Sequence, residues 1–532
     1  MRLTLAAAIA LAVPVSVLPQ DRTTRQADVA GLRDAPAGAL VIGVHAPVRV
    51  LASTLSAFED LLPAESRARL LADLDEARDA IGLDLREERQ WRERGFDPLG
   101  DWSLALSVPG GFLGLPQECV IALPVSDPGV LEAFVVERLK EEDPDLALRR
   151  HVSPSFVSAE GLAWAFFGQR GLVYGRSGVE PARLDELMAR CIARQGGEGT
   201  IGSTRIYRTV RDRLETPASL GLYFSPRNWE ASKERPDEDD ESGEEPARAP
   251  DDARAGDGRP SDLQELLLAV DDEGLVLAAE MAQPLLDELR APAKAELSAL
   301  VAALPKPDAL LVSNLADPGR TLRRWSQARL AFGGTSGSFV PLDEDFPREG
   351  ELAAAGLALW LPARASGEPI RGIAFLLATD EGRAEAVFTR LLERMRRSAA
   401  QVEGARIEPL DAAPGFSGFL RSDGAGEFVA RSGRTVCFGD ARDALRAVTA
   451  GGEPRPTGLA FDAAIEAIVD LAALAGRARN APASATAFQG CLHLRLKAEG
   501  EHLVFTVRRE GVAQHAPFFA EMVALLGFLR ID

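Results

Sequence analysis

Cys491 and His493 stand two residues apart in "CLHLRLKAEG", and His502 follows in "EHLVFTV". Thiolate and imidazole are the usual ligands of zinc, and alternation along a strand puts Cys491 and His493 on one face. A turn at Glu499-Gly500 brings the chain back. His502 then lies either on the opposite face or about four residues from the level of His493. A zinc centre needs three or four converging ligands, and this stretch offers two on a shared face. Of the remaining histidines, His45 follows an apolar run, and His151 and His515 sit beside or within loops. H-E-x-x-H, its inverse, G-x-S-x-G and a Gly-Lys phosphate loop are all missing from the sequence. No catalytic motif, metal or cofactor is therefore expected. Gly424-Ala425-Gly426 joins two strand-like runs and reads as a turn, because a dinucleotide site needs a strand entering a helix. The candidate ligand loop is "FGGTSGSF", in which Gly333, Gly334, Thr335, Ser336 and Gly337 would let backbone approach a ligand. Plain flexibility explains the same composition. Carboxylates abound, as in "PLDEDFPREGE", but sequence alone defines no acid/base pair among them.

The chain has 532 residues, enough for two or more cores. Its formal net charge of −20 repels phosphate backbones, so nucleic acid is not an expected partner. The first residues, "MRLTLAAAIALAVPVSVLPQD", combine Arg2, an apolar run and then polar residues. That is the pattern of a secretory signal, assigned to residues 1–20, with a linker over 21–36. The expected location is the periplasm or the extracellular space. Membrane association is expected only through an uncleaved signal. Export would place Cys119, Cys191, Cys437 and Cys491 in an oxidising compartment, where three pairings are open alongside buried free thiols.

The elements that would position any site are written twice. "SDPGVLEAFVVERLKE" and "TDEGRAEAVFTRLLER" align Asp127 with Asp380, Gly129 with Gly382, Glu132 with Glu385 and Leu139 with Leu392. Each aspartate suits a helix N-cap, and the apolar residues behind it recur at helical spacing. "CVIALPV" and "GIAFLLA" precede these helices; "LALSVP" and "LALWLP" lie further upstream. "GALVIG" matches "DALLVS", aligning Val41 with Leu311. "LLLAVDDEGLVLAAEM" matches "LHLRLKAEGEHLVFTV" as a hairpin. These blocks predict an α+β fold of two tandem homologous halves, 37–304 and 305–532, with largely antiparallel sheets and helices packed on one face. Residues 226–260 are acidic, rich in Pro and Gly, and poor in large apolar residues; they read as a disordered insertion in the first half.

The layout resembles a family of exported bacterial proteins known only as a domain of unknown function. The shared features are the export signal, the opening strands in "DAPAGALVIG" and "PKPDALLVS", the "RGFDPLGDWSLAL" turn and the helices begun at Asp127 and Asp380. The resemblance implies two related α+β halves and no activity. The expected function is a non-enzymatic binding or structural module of the periplasm or cell envelope, with a protein, peptide or lipid partner. The alternative is a hydrolase, or an inactive relative of a duplicated-half peptidase scaffold.

Overall fold

The computed structural model describes the chain except residues 1–28, 30, 36–39, 51, 53–63, 85, 108–117, 177–178, 194–199, 215, 227–262, 282, 290–294, 316–347, 349, 363–367, 369, 411–414, 423–425, 450–458, 477–489, 511–517 and 519–532. The signal segment, the ligand loop Gly333–Gly337, His515 and all but Pro226 of the acidic insertion lie outside the described residues. The chain forms two compact units. The first is Met1–Ala282 with His515–Met522; the second is Gln283–Gln514 with Val523–Asp532.

In the first unit the described strands are β1 (Leu40–His45), β2 (Asp101–Ser107), β3 (Glu118–Pro124), β4 (Arg149–Val152), β5 (Ser155–Ala159), β6 (Leu162–Phe167), β7 (Arg170–Arg176), β8 (Leu220–Phe224), β9 (Leu263–Val270) and β10 (Gly274–Met281). They pair in the order β4-β5-β6-β7-β3-β2-β1-β8-β9-β10, antiparallel throughout. Helices α1 (Ala64–Ile81), α2 (Glu88–Glu93) and α3 (Pro128–Glu142) pack on one face, where Leu74, Trp91, Leu131 and Phe134 meet Leu104, Ile121 and Leu123. Helix α4 (Pro181–Ala193) covers the other face, with Leu184 and Met188 against Leu172 and Tyr174. A short helix, α5 (Arg205–Arg211), buries Ile206, Tyr207 and Val210 and packs across β9 and β10. Thr204 caps it, its hydroxyl accepting from the Tyr207 N–H at 3.3 Å.

The second unit begins with α6 (Gln283–Leu289) and α7 (Ala295–Ala302). Its described strands are β11 (Ala309–Ser313), β12 (Leu352–Trp360), β13 (Arg371–Ala378), β14 (Ile407–Pro409), β15 (Ser417–Arg421), β16 (Phe428–Ser432), β17 (Thr435–Gly439), β18 (Ile465–Asp470), β19 (Cys491–Glu499) and β20 (His502–Glu510). The pairing order is β14-β15-β16-β17-β13-β12-β11-β18-β19-β20, again antiparallel, and it repeats the first unit strand for strand. Helix α8 (Glu381–Ala400) buries Val387, Phe388 and Leu391 against Ala374 and Leu376. Ile373, Phe375 and Leu377 point the other way, to Val301 and to Ala444 and Leu445 of α9 (Arg442–Thr449). A six-residue helix, α10 (Leu471–Gly476), follows β18.

The α+β class and the antiparallel sheets agree with the sequence reading; four details differ from it. Helices cover both faces of each sheet, not one. An apolar run such as "GIAFLLA" needs cover on both sides, and a single helical layer supplies one. The apolar alternation of residues 152–158 reads as one strand, but residues 149–159 form a hairpin, because Pro154 lacks a ladder N–H and sits in the turn. The units divide after Ala282, where the sequence reading places a boundary at 304/305; α6 packs against β19 and so groups with the second unit. Finally, Val41 faces Ala105 and Tyr223, whereas Leu310, not Leu311, faces the corresponding Ala358 and Ile468. A one-residue shift exchanges the two faces of a strand, and burial agrees with the corrected register: Val41 and Leu310 are buried, Ile42 and Leu311 partly so.

Candidate functional site

With that register, each residue of β8–β10 has a counterpart in β18–β20. Gly221 corresponds to Glu466, Leu267 to His493, Ala269 to Arg495 and Ala278 to Arg508. In the first unit this face is apolar and closed around Gly221, while at its far end Tyr223 donates to Glu265 at 2.9 Å and Glu280 pairs with Glu265 across β9 and β10. Tyr223, Leu267, Ala269, Val276 and Ala278 are fully buried, α5 lies across them, and Val29 and Leu32 sit over Gly221. In the second unit the same positions carry charge. The residues described between α9 and β18, 459–464, form a turn and not a helix.

Glu466 is the centre of this patch and is 0% exposed. Its carboxylate accepts from the Ala460 N–H at 3.0 Å and the Phe461 N–H at 2.8 Å. His493 Nε2 lies 2.9 Å from Oε1, and Arg495 Nε lies 3.4 Å from the same oxygen. Burial by itself pushes the Glu466 carboxyl up. The bonds from His493, Ala460 and Phe461, with the Arg495 charge, more than offset this and hold it below the usual glutamate range. His493 Nδ1 lies 3.2 Å from Glu510. The Glu466 bond raises the His493 pKa, burial opposes it, and Glu510 adds to the rise, so the imidazolium is favoured. Asp462, in the turn, receives a bond from Arg495 and a 3.0 Å bond from Lys497. Asn314 completes the turn: its Nδ2 donates to the carbonyls of Phe461 at 3.4 Å and Ala463 at 3.1 Å. Phe461 is held at φ 57°, a left-handed backbone seldom adopted by a bulky residue. Arg495 and Lys497 remain 34% and 39% exposed.

This geometry defines what His493 can do. With each ring nitrogen facing a carboxylate, the imidazolium donates twice and has no lone pair for a metal or for a proton in transit. Cys491 and His493 do share a face. His502 shares it as well, but it pairs with Glu499 while His493 pairs with Arg508. Six residues of strand, roughly 20 Å, separate the two histidines. The turn is the pair Gly500-Glu501, with Gly500 at φ 60°. Among the described residues no group of three or more His, Cys, Asp or Glu is arranged to hold a metal.

A second convergence lies at the edge of the first sheet. Ser158 Oγ donates to Asp185 Oδ1 at 2.6 Å, and His151 Nε2 lies 3.3 Å from both Ser158 Oγ and Asp185 Oδ2. Arg149 Nη2 donates to Asp185 at 3.0 Å and to Ser158 at 3.1 Å. The residue types are those of a nucleophilic triad, but the order of bonds is wrong. A triad serine gives its proton to histidine, and the carboxylate holds the other ring nitrogen. Here the serine proton goes to the carboxylate, and Ser158 is 0% exposed, beyond the reach of a substrate. His151 stacks on Phe156 with ring centroids 4.1 Å apart. The cluster ties α4 to the edge strands. His45 Nδ1 meets Asp101 at 2.6 Å across β1 and β2. None of the four cysteines forms a disulfide: Cys119 and Cys437 are buried, Cys191 and Cys491 partly so. Burial pushes the Cys437 thiol up, away from the reactive thiolate.

Sequence reasoning singled out His493 but missed Glu466, Asn314 and Asp462. One signal was present: "AAIEAIVD" carries a single carboxylate inside an otherwise apolar strand, and a buried charge must have partners.

Fold and site together define an α+β protein of two antiparallel units with ten described strands each, one closed by apolar side chains around Gly221 and one with Glu466, His493 and Arg495 at the same strands. No protein-family model matches the chain, and no curated protein matches it. Among solved structures, crystal form III of TP0453 is similar at a TM-score of 0.19 with 11% identity, covering 52% of this chain and 85% of that one. Crystal form I of TP0453 gives a TM-score of 0.19 with 10% identity, covering 49% and 81%. Likeness at that level supports no argument about fold or function.

Proposed function

We propose that the chain is an exported, non-enzymatic binding or structural module of the periplasm or cell envelope, built from two homologous units of which the second has become the binding unit. The observation that carries this reading is the exchange of Leu267, Ala269 and Ala278 for His493, Arg495 and Arg508 at matching strand positions. Charged side chains replace an apolar surface that needs a roof. Arg495 and Lys497 are exposed enough to meet a partner, and the pinned turn with Asp462 fixes where they stand. A face of this kind suits a protein or peptide bearing carboxylates more than it suits a lipid tail. The matching strand orders support descent of both units from one, and the resemblance to exported proteins of unknown function supports the location. Among the described residues no helix is long and apolar enough to cross a membrane.

The test has two arms. Cross-linking of the exported protein in its native envelope, with a photo-reactive residue near Arg495, should yield a defined adduct. Arg495→Glu with Lys497→Glu should abolish that adduct while thermal stability holds. An adduct indifferent to both charge reversals overturns the assignment of the face. Ester or peptide hydrolysis that disappears in Ser158→Ala overturns the non-enzymatic reading.

A further inference from the structure

Glu466 collects more bonds than support of a strand requires. It lies wholly buried, joins β18 to β19 through His493, and holds the backbone of the preceding turn by two N–H groups. That turn contains the left-handed Phe461 and presents Asp462 to Arg495 and Lys497. We propose that the Glu466–His493 pair is a pH-operated latch on the turn 459–464, with protonation of Glu466 freeing the backbone of Ala460 and Phe461. Once the carboxylate gains a proton, one of its oxygens becomes a donor where an N–H group needs an acceptor, and the other, now neutral, accepts more weakly. The strained Phe461 backbone then has less to hold it. Asn314 continues to grip the turn through the carbonyls of Phe461, Ala463 and Ala464, and Asp462 keeps its bonds from Arg495 and Lys497.

The charged groups facing the pair come from every element packed on it. Arg495 on β19 touches Glu466; Glu510 on β20 touches His493; Arg508 stands opposite His493. The turn supplies Asp462, itself neutralised by Arg495 and Lys497. The direction of each change follows from the shifts. Glu466 sits below its ordinary pKa of 4.5 when folded, so its contribution is present above that value and is lost as pH falls through the folded pKa. His493 sits above its ordinary 6.5, so its contribution is complete below that value and is lost as pH rises through the folded pKa. The latch is therefore closed in mildly acidic medium, and strong acid opens it.

Amide hydrogen exchange of the full chain, resolved at Ala460 and Phe461, tests this. Between roughly pH 6 and roughly pH 3, protection of both amides should fall by about tenfold or more while the amides of β18 and β19 hold. Glu466→Gln should remove that protection at both values. His493→Gln should move the opening to higher pH, and this arm stands even where Glu466→Gln does not fold. Protection at Ala460 and Phe461 that stays flat across the range overturns the latch. So does protection lost only together with β18 and β19, which is unfolding of the sheet.

Discussion

At matching positions of the same strand order, β8–β10 of the first unit carry Gly, Leu and Ala where β18–β20 of the second carry Glu, His and Arg. The first face is closed by α5 and by Val29 and Leu32; the second is closed by charge pairing and a hydrogen-bonded turn. Both solutions bury the centre of the sheet. They differ in what they require: the apolar face needs shape, the charged face needs its buried carboxylate paired. The two units show that one backbone arrangement accepts either, provided the substitutions come as a set.

Placing one member of the set in the wrong unit should therefore do the most damage. A Cβ on Gly221 would meet Leu32 Cδ1 at 2.6 Å and Val29 Cγ1 at 2.7 Å. Gly221→Glu adds that overlap to a buried charge with no His or Arg beside it, and should cost about 4 kcal/mol or more. Chemical denaturation would show the first unit unfolded or nearly so. A loss below about 1 kcal/mol would mean that the two faces are not equivalent environments.

The next largest effect lies in the second unit. Glu466→Ala leaves the Ala460 and Phe461 N–H groups without their acceptor and His493 without its main carboxylate, a loss of about 3 kcal/mol. Leu267→His, the second unit's residue placed under α5, should cost a comparable amount of about 2–4 kcal/mol, since Gly221 stands where His493 has Glu466 and only Glu280, at the position of Glu510, remains to meet the imidazole. In a double-mutant cycle Glu466 and His493 should couple by about 1–3 kcal/mol near neutral pH. The coupling should shrink as pH falls through the Glu466 pKa. Independent, additive losses would break the description of the face as a matched set.

How much of this was legible in the sequence follows from the range of each interaction. The aspartate caps, the helices behind them and the hairpins are local, and local spacing reveals them. Val41 was aligned one residue off because "GALVIG" and "DALLVS" are both apolar throughout; only the partner strands fix which side chain faces which core. Helix α5 escaped notice because seven residues give barely two turns of periodicity, although Thr204 and the spacing of Ile206, Tyr207 and Val210 are its signature. Glu466 meets His493 across 27 residues of chain, a proximity created by strand pairing and by nothing in the local pattern. The Ser158–Asp185–His151 cluster arises the same way, and its bond order, which decides its chemistry, exists only in three dimensions.

The smallest effect asks whether the units are alike where they look alike. Asp127 accepts from the N–H groups of Gly129 at 3.0 Å and Val130 at 3.1 Å, at the start of α3. Asp380 accepts from the Arg383 N–H at 2.8 Å, at the start of α8. Both backbones are extended at the cap and both side chains are exposed, so each bond competes with water. Asp127→Ala and Asp380→Ala should each cost about 1 kcal/mol, and Asn at either site should recover most of it. Pro128 also fixes the first turn of α3, whereas α8 begins with Glu381 and has no such constraint. Fraying at α8 should accordingly exceed that at α3 when the caps are removed, read as amide exchange in the first turn of each helix. Equal fraying would show that the proline adds nothing, and that the two caps are interchangeable parts of one repeated design.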